Sequence, residues 1–512
     1  MKMIYGVKDR PKWGQLMLFS LQQLLAILAA TIAVPVVVQS TTGYTMYTSS
    51  ALFGAGVGTI VYLLFTKFKS PVFLGSSFAF LSSMFAAFAG GVSMALGYLG
   101  LIIGAVLAGL IYVIIAVIVK FAGVKWIDKI MPAVVIGPTV AIIGLSLASN
   151  AIGDLMKGNV METFSEWVIS LDKAGNQIIE NGVPVTELKE LSRMVCSPYV
   201  ALVCGLATLA VTVVCSVYGK KMVKMIPFII GIGAGYALAA IFTGIGYAAN
   251  CDALKVINFE LFKNMDWKFW ESYAFVHLFS DDYSAGDFGN IGTYIGNIAV
   301  AYIPVAFVTF AEHLADHKNI SSIIETDLLK EPGLHRTLLG DGVGSIAGAL
   351  FGGCPNTTYG ESVGCVAISG NASVITILVT AVMAILCSFF APFITLLATI
   401  PSCVMGGVCI ALYGFIAVSG LKMIQKVDLG DNKNLFTVSV ILIAGVGGMV
   451  LTFGKVSITE VACALILGIL TNLLVNIKGK KSKGDEQLVM EEVAQSDILA
   501  EAAIEPESTE EK

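Results

Sequence analysis

Residues 54–65 read GAGVGTIVYLLF, and residues 340–351 read GDGVGSIAGALF. Seven of the twelve positions are identical, and Thr59 is matched by Ser345. Each copy is followed by a proline-led stretch rich in glycine and hydroxyl residues: PVFLGSSFAF from Pro71 and PNTTYGESVG from Pro355. A weaker echo sets Pro132 and Gly137 against Pro401 and Gly406, in the same order. Apolar sequence produces chance matches, but two ordered echoes at similar offsets point to an internal duplication, the mark of many transporter folds.

The chain around these copies reads as a membrane protein. Of its 512 residues 56% are hydrophobic and only 13% charged, with a mean hydropathy of +0.83. Soluble domains carry about a quarter charged residues, so a single soluble core is excluded. Apolar runs of about 20 residues, each long enough to cross a bilayer as a helix, recur from end to end. The first, residues 16–38, is too long for a signal-peptide core and has no small-residue cleavage site after it, so it reads as a retained span. Further spans are expected at 46–65, 71–86, 94–120, 128–149, 197–218 and 225–247. A second group covers 294–316, 338–353, 356–370, 373–398, 401–420, 435–452 and 458–477, for a total of fourteen.

Lysine and arginine test that number. Lys2, Lys8, Arg10 and Lys12 precede span 1, Lys67 and Lys69 follow span 2, and Lys120, Lys125 and Lys129 follow span 4. Lys220, Lys221 and Lys224 follow span 6, Lys318, Lys330 and Arg336 span 8, Lys422 and Lys426 span 12, and Lys478 to Lys483 span 14. All clusters fall on one side, so both termini are expected in the cytoplasm of a multi-pass plasma-membrane protein. The long loops near 150–196 and 248–293 then lie outside. An offset of seven spans between the copies turns the second half upside down relative to the first, the architecture of secondary transporters. The expected divisions are 1–150 (first repeat, spans 1–5), 151–196 (extracellular loop), 197–290 (spans 6–7 and a second loop) and 291–480 (second repeat, spans 8–14). Residues 481–512 form an acidic, polar tail expected to be disordered.

The proline-led stretches 71–86 and 356–370 are poor helices, because glycine, hydroxyl residues and proline favour extended or turn backbone. At membrane depth such backbone survives only where it is buried in protein or lines a cavity. Its free N–H and C=O groups can then meet a ligand, although Gly/Ser kinks that serve packing alone would look the same. Glu361 lies inside the second stretch, and Glu312 at the end of the eighth span. Acids in hydrocarbon are costly and usually mark a substrate or proton path. For Glu312 a solvated helix end is the competing reading, since Lys318 follows closely. His313 and His317 have the i, i+4 spacing of zinc-binding pairs, but the glutamate precedes them instead of following as in HExxH, and no metal site is expected. The ten cysteines show no metal-type spacing and fall mostly within spans; Cys196 and Cys251, both at outer span ends, leave a disulfide open.

Taken together, LGSSFAF, AEHLADH, PNTTYGESVGCVAISG and DLLKEPGLHRTLLGDGVGSIAGALFGG resemble the nucleobase–ascorbate transporter family, in particular its bacterial uracil permease branch, over about residues 5–480. The resemblance implies fourteen spans in two inverted repeats, with a core domain of spans 1–4 and 8–11 and a gate domain of spans 5–7 and 12–14. Short strands in spans 3 and 10 are implied to hold the base. Glu312 matches the glutamate that accepts N–H bonds from a pyrimidine ring, and Glu361 the signature glutamate of span 10. Phe78 and Gly360 match positions presenting backbone N–H groups, with Ser77 beside the former; Tyr359 matches a pocket wall and Tyr413 a gate-domain tyrosine. Four departures stand out: Ser362 in place of asparagine, Ser369–Gly370 closing the signature, Gln22–Gln23 in place of Gln-His, and Asp316 in place of histidine, with His317 one step on. They are expected to cluster on the pocket and the proton path.

The resulting expectation is a proton-coupled uracil importer, not an enzyme, working by an elevator-like movement of core against gate. Glu312 and Glu361 bind the base, while Glu312, Asp316 and His317 handle the proton. No cofactor and no nucleic-acid partner are expected; a homodimer in the bilayer is, and sodium is the alternative coupling ion. Three rivals are a xanthine or urate permease of the same family, an anion transporter of related architecture, and a membrane hydrolase built on His313 and His317.

Overall fold

In the computed structural model the described residues are 3–123, 132–169, 179–180, 183–184, 186–220, 222–263, 265, 267, 282–453 and 456–476. The acidic tail at 481–512, the start of the expected fifth span, and Lys2, Lys125, Lys129, Lys221 and Lys478 to Lys483 lie outside them. The first half runs through α1 (Trp13–Thr42), α2 (Thr48–Phe65), strand β1 (Leu74–Ser76), a 3-10 turn (Phe78–Phe80) and α3 (Leu81–Ala87). It continues with α4 (Met94–Ala122), α5 (Ala133–Ser146), α6 (Ala148–Asp154), α7 (Pro198–Tyr218), a single turn α8 (Met222–Met225) and α9 (Pro227–Ala248). The second half comprises α10 (Ile291–Ile323), α11 (Leu334–Leu350), strand β6 (Asn356–Thr358), α12 (Gly360–Ser369), α13 (Val374–Ser388), α14 (Ala391–Ala398), α15 (Ser402–Ile424), α16 (Asn432–Val446) and α17 (Glu460–Asn476). Among the described residues, eight helices are long and apolar enough to cross a membrane, or nine if the bent pair α13–α14 forms one span.

Glycine decides how the two copies of the repeated stretch meet. A Cβ on Gly54 would lie 2.8 Å from the Gly348 carbonyl oxygen, one on Gly344 2.7 Å from that of Gly58, and one on Gly340 3.1 Å from that of Tyr62. Residue numbers fall on one helix as they rise on the other, so α2 and α11 run antiparallel. They touch most closely at Gly58 and Gly344, which occupy the same position in the two copies. Small residues permit this approach of backbones, which is where helix association in a membrane finds its packing contacts. The weaker echo behaves alike. Gly137 faces Gly420 and Gly144 faces Tyr413, so α5 and α15 also cross antiparallel, and Gly406 continues the line against Ala151 of α6.

Between the two halves, β1 and β6 pair antiparallel with Leu74 opposite Thr358, Gly75 opposite Thr357 and Ser76 opposite Asn356. The hydroxyls matched in the repeat hold this pair from behind. Thr59 Oγ1 accepts from the Leu74 N–H at 2.9 Å, and Ser345 Oγ accepts from the Asn356 N–H at 2.9 Å. Strand pairing thus satisfies backbone groups that the apolar interior would otherwise leave unpaired.

Several expectations change. The eighth span does not stop at 316 but continues to Ile323, which places Glu312 inside a helix and not at its end. The run 373–398 is interrupted, with α13 and α14 meeting at 81°. The run 435–452 leaves its helix at Val446 and enters a hairpin of β7 (Leu451–Phe453) and β8 (Val456–Ile458). The region 150–196 is more than a loop. It completes α6 and then forms an antiparallel pair of β2 (Met161–Ile169) and β5 (Thr186–Met194), with the short pair β3 (Ile179–Glu180) and β4 (Val183–Pro184) between them. Cys196 and Cys251 are both free thiols.

Candidate functional site

The ends of the strand pair, α10 and the first turn of α12 line a cavity of about 380 Å³, bounded on the far side by residues of α5, α7, α9 and α15. Its size suits a small ligand. Seven of the residues singled out from the sequence line it: Ser77, Phe78, Glu312, Asp316, Tyr359, Gly360 and Glu361. Three carboxyl groups therefore face one space, two from a single helix and one from the start of another. The first turn of α12 begins at Gly360, so its unpaired backbone N–H groups and the positive end of its dipole point the same way. Ser77 Oγ is buried and has no hydrogen-bond partner among the described residues, an acceptor and donor available to a guest. The cavity extends to Ser216, Lys224, Ser419 and Met423, near the lysine-bearing ends of their helices.

Each residue is held by its surroundings. The Tyr359 hydroxyl donates to the Ser76 carbonyl at 2.9 Å, and its ring occupies the space that a Cβ on Gly75 would need. Asp316 Oδ2 accepts from Thr358 Oγ1 at 2.7 Å, which ties the α10 carboxylate to the end of β6. Thr358 itself lines the cavity, and the sequence reading did not single it out. It belonged to a hydroxyl-rich stretch, but its partner lies 42 residues away. Phe228 and Phe415, 5.8 Å apart edge to face, form the apolar wall opposite and were likewise missed, because aromatic residues in membrane spans are unexceptional.

Two expected site residues do not reach the cavity. Tyr413 is buried behind it and meets the Phe78 ring edge to face at 5.6 Å. His317 turns away: its Nδ1 donates to the His313 carbonyl at 2.8 Å, so Nε2 of the neutral ring accepts from the Tyr62 hydroxyl at 2.7 Å. His313 is bound just as fully, by Asp341 Oδ2 at 2.7 Å from Nδ1 and Thr337 Oγ1 at 2.9 Å from Nε2. The i, i+4 histidines stack at 4.0 Å with all four ring nitrogens engaged, so their spacing serves a buried polar network linking α2, α10 and α11.

The departures from the family pattern also sort differently than expected. Only Asp316 faces the cavity. Gln23 and Ser362 lie behind it, where Gln23 Nε2 donates to Ser362 Oγ at 2.6 Å. Gly370 ends α12 with φ 66°, a left-handed cap that a side chain would strain, and its carbonyl accepts the Ile4 N–H at 2.7 Å. Ser369 Oγ accepts from the Asn371 N–H at 3.2 Å in the same turn.

Comparison with known proteins gives three findings. The family model described as "Permease family" matches residues 14–179 and 176–453. The uracil permease of Bacillus caldolyticus is 37% identical over 477 residues, 92% of this chain and 95% of that protein. The uracil permeases of Bacillus subtilis (strain 168) and Escherichia coli (strain K12) are 37% and 32% identical, each over 92% of this chain. Among solved structures, the transmembrane domain of a cyanobacterium bicarbonate transporter aligns with a TM-score of 0.55 at 14% identity, over 91% of this chain and 99% of that one. The murine Solute Carrier 26 family member A9 anion transporter, inward-facing, aligns with 0.58 at 10% identity, over 92% and 69%. At these identities the structural likeness concerns the fold alone.

Proposed function

The chain belongs to the nucleobase–ascorbate transporter family, and from this premise we propose that it is a plasma-membrane uracil permease driven by protons. The observation that carries the reading is that Glu312 and Glu361 line one cavity together with Phe78 and Gly360, each the first residue of a helical turn. Uracil is flat and neutral and presents two N–H donors and two carbonyl acceptors. Carboxylates accept from the former and backbone N–H groups donate to the latter. An unmet buried partner would cost roughly 1–3 kcal/mol, which rejects a base lacking that edge.

Asp316 stands one helical turn from Glu312, and a proton shared between the two removes one negative charge from the site as the base is carried. His317, bound to Tyr62 and His313 away from the cavity, supports the polar network and does not exchange protons with the base. Fourteen spans in two inverted repeats are supported by the two glycine crossings, each antiparallel and each centred on equivalent positions. The same crossings, α2 with α11 and α5 with α15, support a core and a gate that move against each other, with the cavity between them. Cytoplasmic termini follow from the lysine clusters; a dimer and the choice of protons over sodium follow from family resemblance. The anion-transporter reading has the fold on its side, but fold does not carry cargo, and three acids around the cavity oppose an anion.

Uptake of labelled uracil into proteoliposomes, competed by unlabelled uracil, xanthine, urate and thymine with and without a proton uncoupler, tests this reading. Competition by uracil and collapse of accumulation on uncoupling are expected. Competition by xanthine or urate instead would move the protein to the purine carriers, and accumulation that follows sodium would overturn proton coupling.

A further inference from the structure

Two of the residues that depart from the family pattern touch each other. Gln23 comes from the middle of α1 and Ser362 from the first turn of α12, 339 positions away, and both are buried. Gln23 Nε2 donates to Ser362 Oγ at 2.6 Å, and the same oxygen accepts the Phe73 N–H at 3.0 Å. Phe73, just ahead of β1, also uses its carbonyl, which accepts the Tyr359 N–H at 3.2 Å. One residue therefore grips the segment Tyr359–Ser362 at both ends. Between the two grips lie Gly360 and Glu361, the groups facing the cavity.

A side chain on the first turn of a helix is free to fray unless its neighbours are tied. Here the tie consists of one serine oxygen whose two acceptor positions are filled by donors from two other elements. Removing the Ser362 hydroxyl leaves two buried donors unmet, the Phe73 N–H and the Gln23 amide, and frees one end of the segment, whereas removing the Gln23 amide leaves the serine oxygen held by the Phe73 N–H alone. A one-residue shift in hydrogen bonding at this point would move the Glu361 carboxylate relative to the strand end that presents Ser77 and Phe78.

We propose that Gln23 and Ser362 act together as a positioning pair: through Phe73 they fix Glu361 against the strand pair and thereby set affinity for the base without touching it. This rests on the reading of Glu361 as a base-binding group. The pair operates as a unit, so the two side chains are replaceable together with less effect than their separate losses would sum to.

The test compares Gln23→Met, Ser362→Ala, the double variant, Ser362→Thr and Glu361→Gln, using labelled uracil in transport and equilibrium binding. Each of the two disruptive single variants should raise KM about tenfold with Vmax within about twofold, and the double variant should be no worse than either. Ser362→Thr keeps the oxygen and should stay near the parent, and thermal unfolding in detergent checks that each variant is folded. If Ser362→Ala does not fold, Gln23→Met and Ser362→Thr still decide the matter. Unchanged KM, or effects that multiply in the double variant, would overturn the pairing while Glu361→Gln still abolishes binding. Intact binding in Glu361→Gln would instead sink the site reading itself, and this inference with it.

Discussion

Asp316 is the residue whose setting most changes its meaning. In sequence it is an acid where a histidine belongs; in the fold it holds Thr358 at 2.7 Å and faces the cavity beside Glu312. Asp316→Asn keeps the shape and the hydrogen bond to Thr358 but loses the exchangeable proton. It should therefore reduce uptake driven by a pH gradient at least tenfold while changing equilibrium uracil binding by less than about 1 kcal/mol. Equal retention of both would remove the residue from coupling. Thr358→Val frees the carboxylate from its tether and should weaken binding by about 1 kcal/mol, read by equilibrium titration. The histidines teach the converse. Their i, i+4 spacing was plain in the sequence, but the partners that occupy their ring nitrogens, Tyr62, Thr337 and Asp341, come from two other helices.

At the scale of elements, the repeated stretch is legible because its glycines are required twice, once in each copy. Gly58 and Gly344 meet backbone to backbone, and a Cβ on Gly58 would stand 2.8 Å from the Gly344 carbonyl. Gly58→Ala should destabilise the protein by roughly 1–3 kcal/mol through overpacking, lowering its melting temperature in detergent, whereas alanine at the exposed Gly14 should leave it unchanged. A melting temperature unaltered in Gly58→Ala would contradict so close a crossing. The broken stretches were also legible, since proline, glycine and hydroxyl residues disfavour helix wherever they cluster. Where helices end was less so. The extension of α10 to Ile323 occurs within sequence of mixed character, where packing partners decide whether a helix goes on, while the bend between α13 and α14 falls at Pro392 in the first turn of α14, a local breaker that the reading of 373–398 as one span passed over.

At the scale of the molecule, the broken span and the last helix are joined by Ser82 Oγ donating to Glu460 Oε1 at 2.6 Å. Ser82 belongs to α3 and Glu460 opens α17, elements that the proposed movement assigns to core and gate. Under that proposal a bond across the boundary breaks and re-forms in each transport cycle. Ser82→Ala should then change Vmax by severalfold and leave equilibrium binding alone, which paired transport and binding measurements would resolve. An unchanged Vmax would mean that the two elements do not separate.

The sequence by itself determined the membrane class, the places of the long apolar helices and the broken stretches. These rest on local quantities: apolar length against bilayer thickness and the backbone preferences of adjacent residues. Only the tertiary structure decided which polar groups meet. It brought Glu312, Asp316 and Glu361 to one cavity, turned His317 away from it, and joined Gln23 to Ser362 across 339 positions. In an apolar interior a buried polar group without a partner is costly, and which partner it finds depends on how distant helices pack, a property that no local stretch of sequence carries.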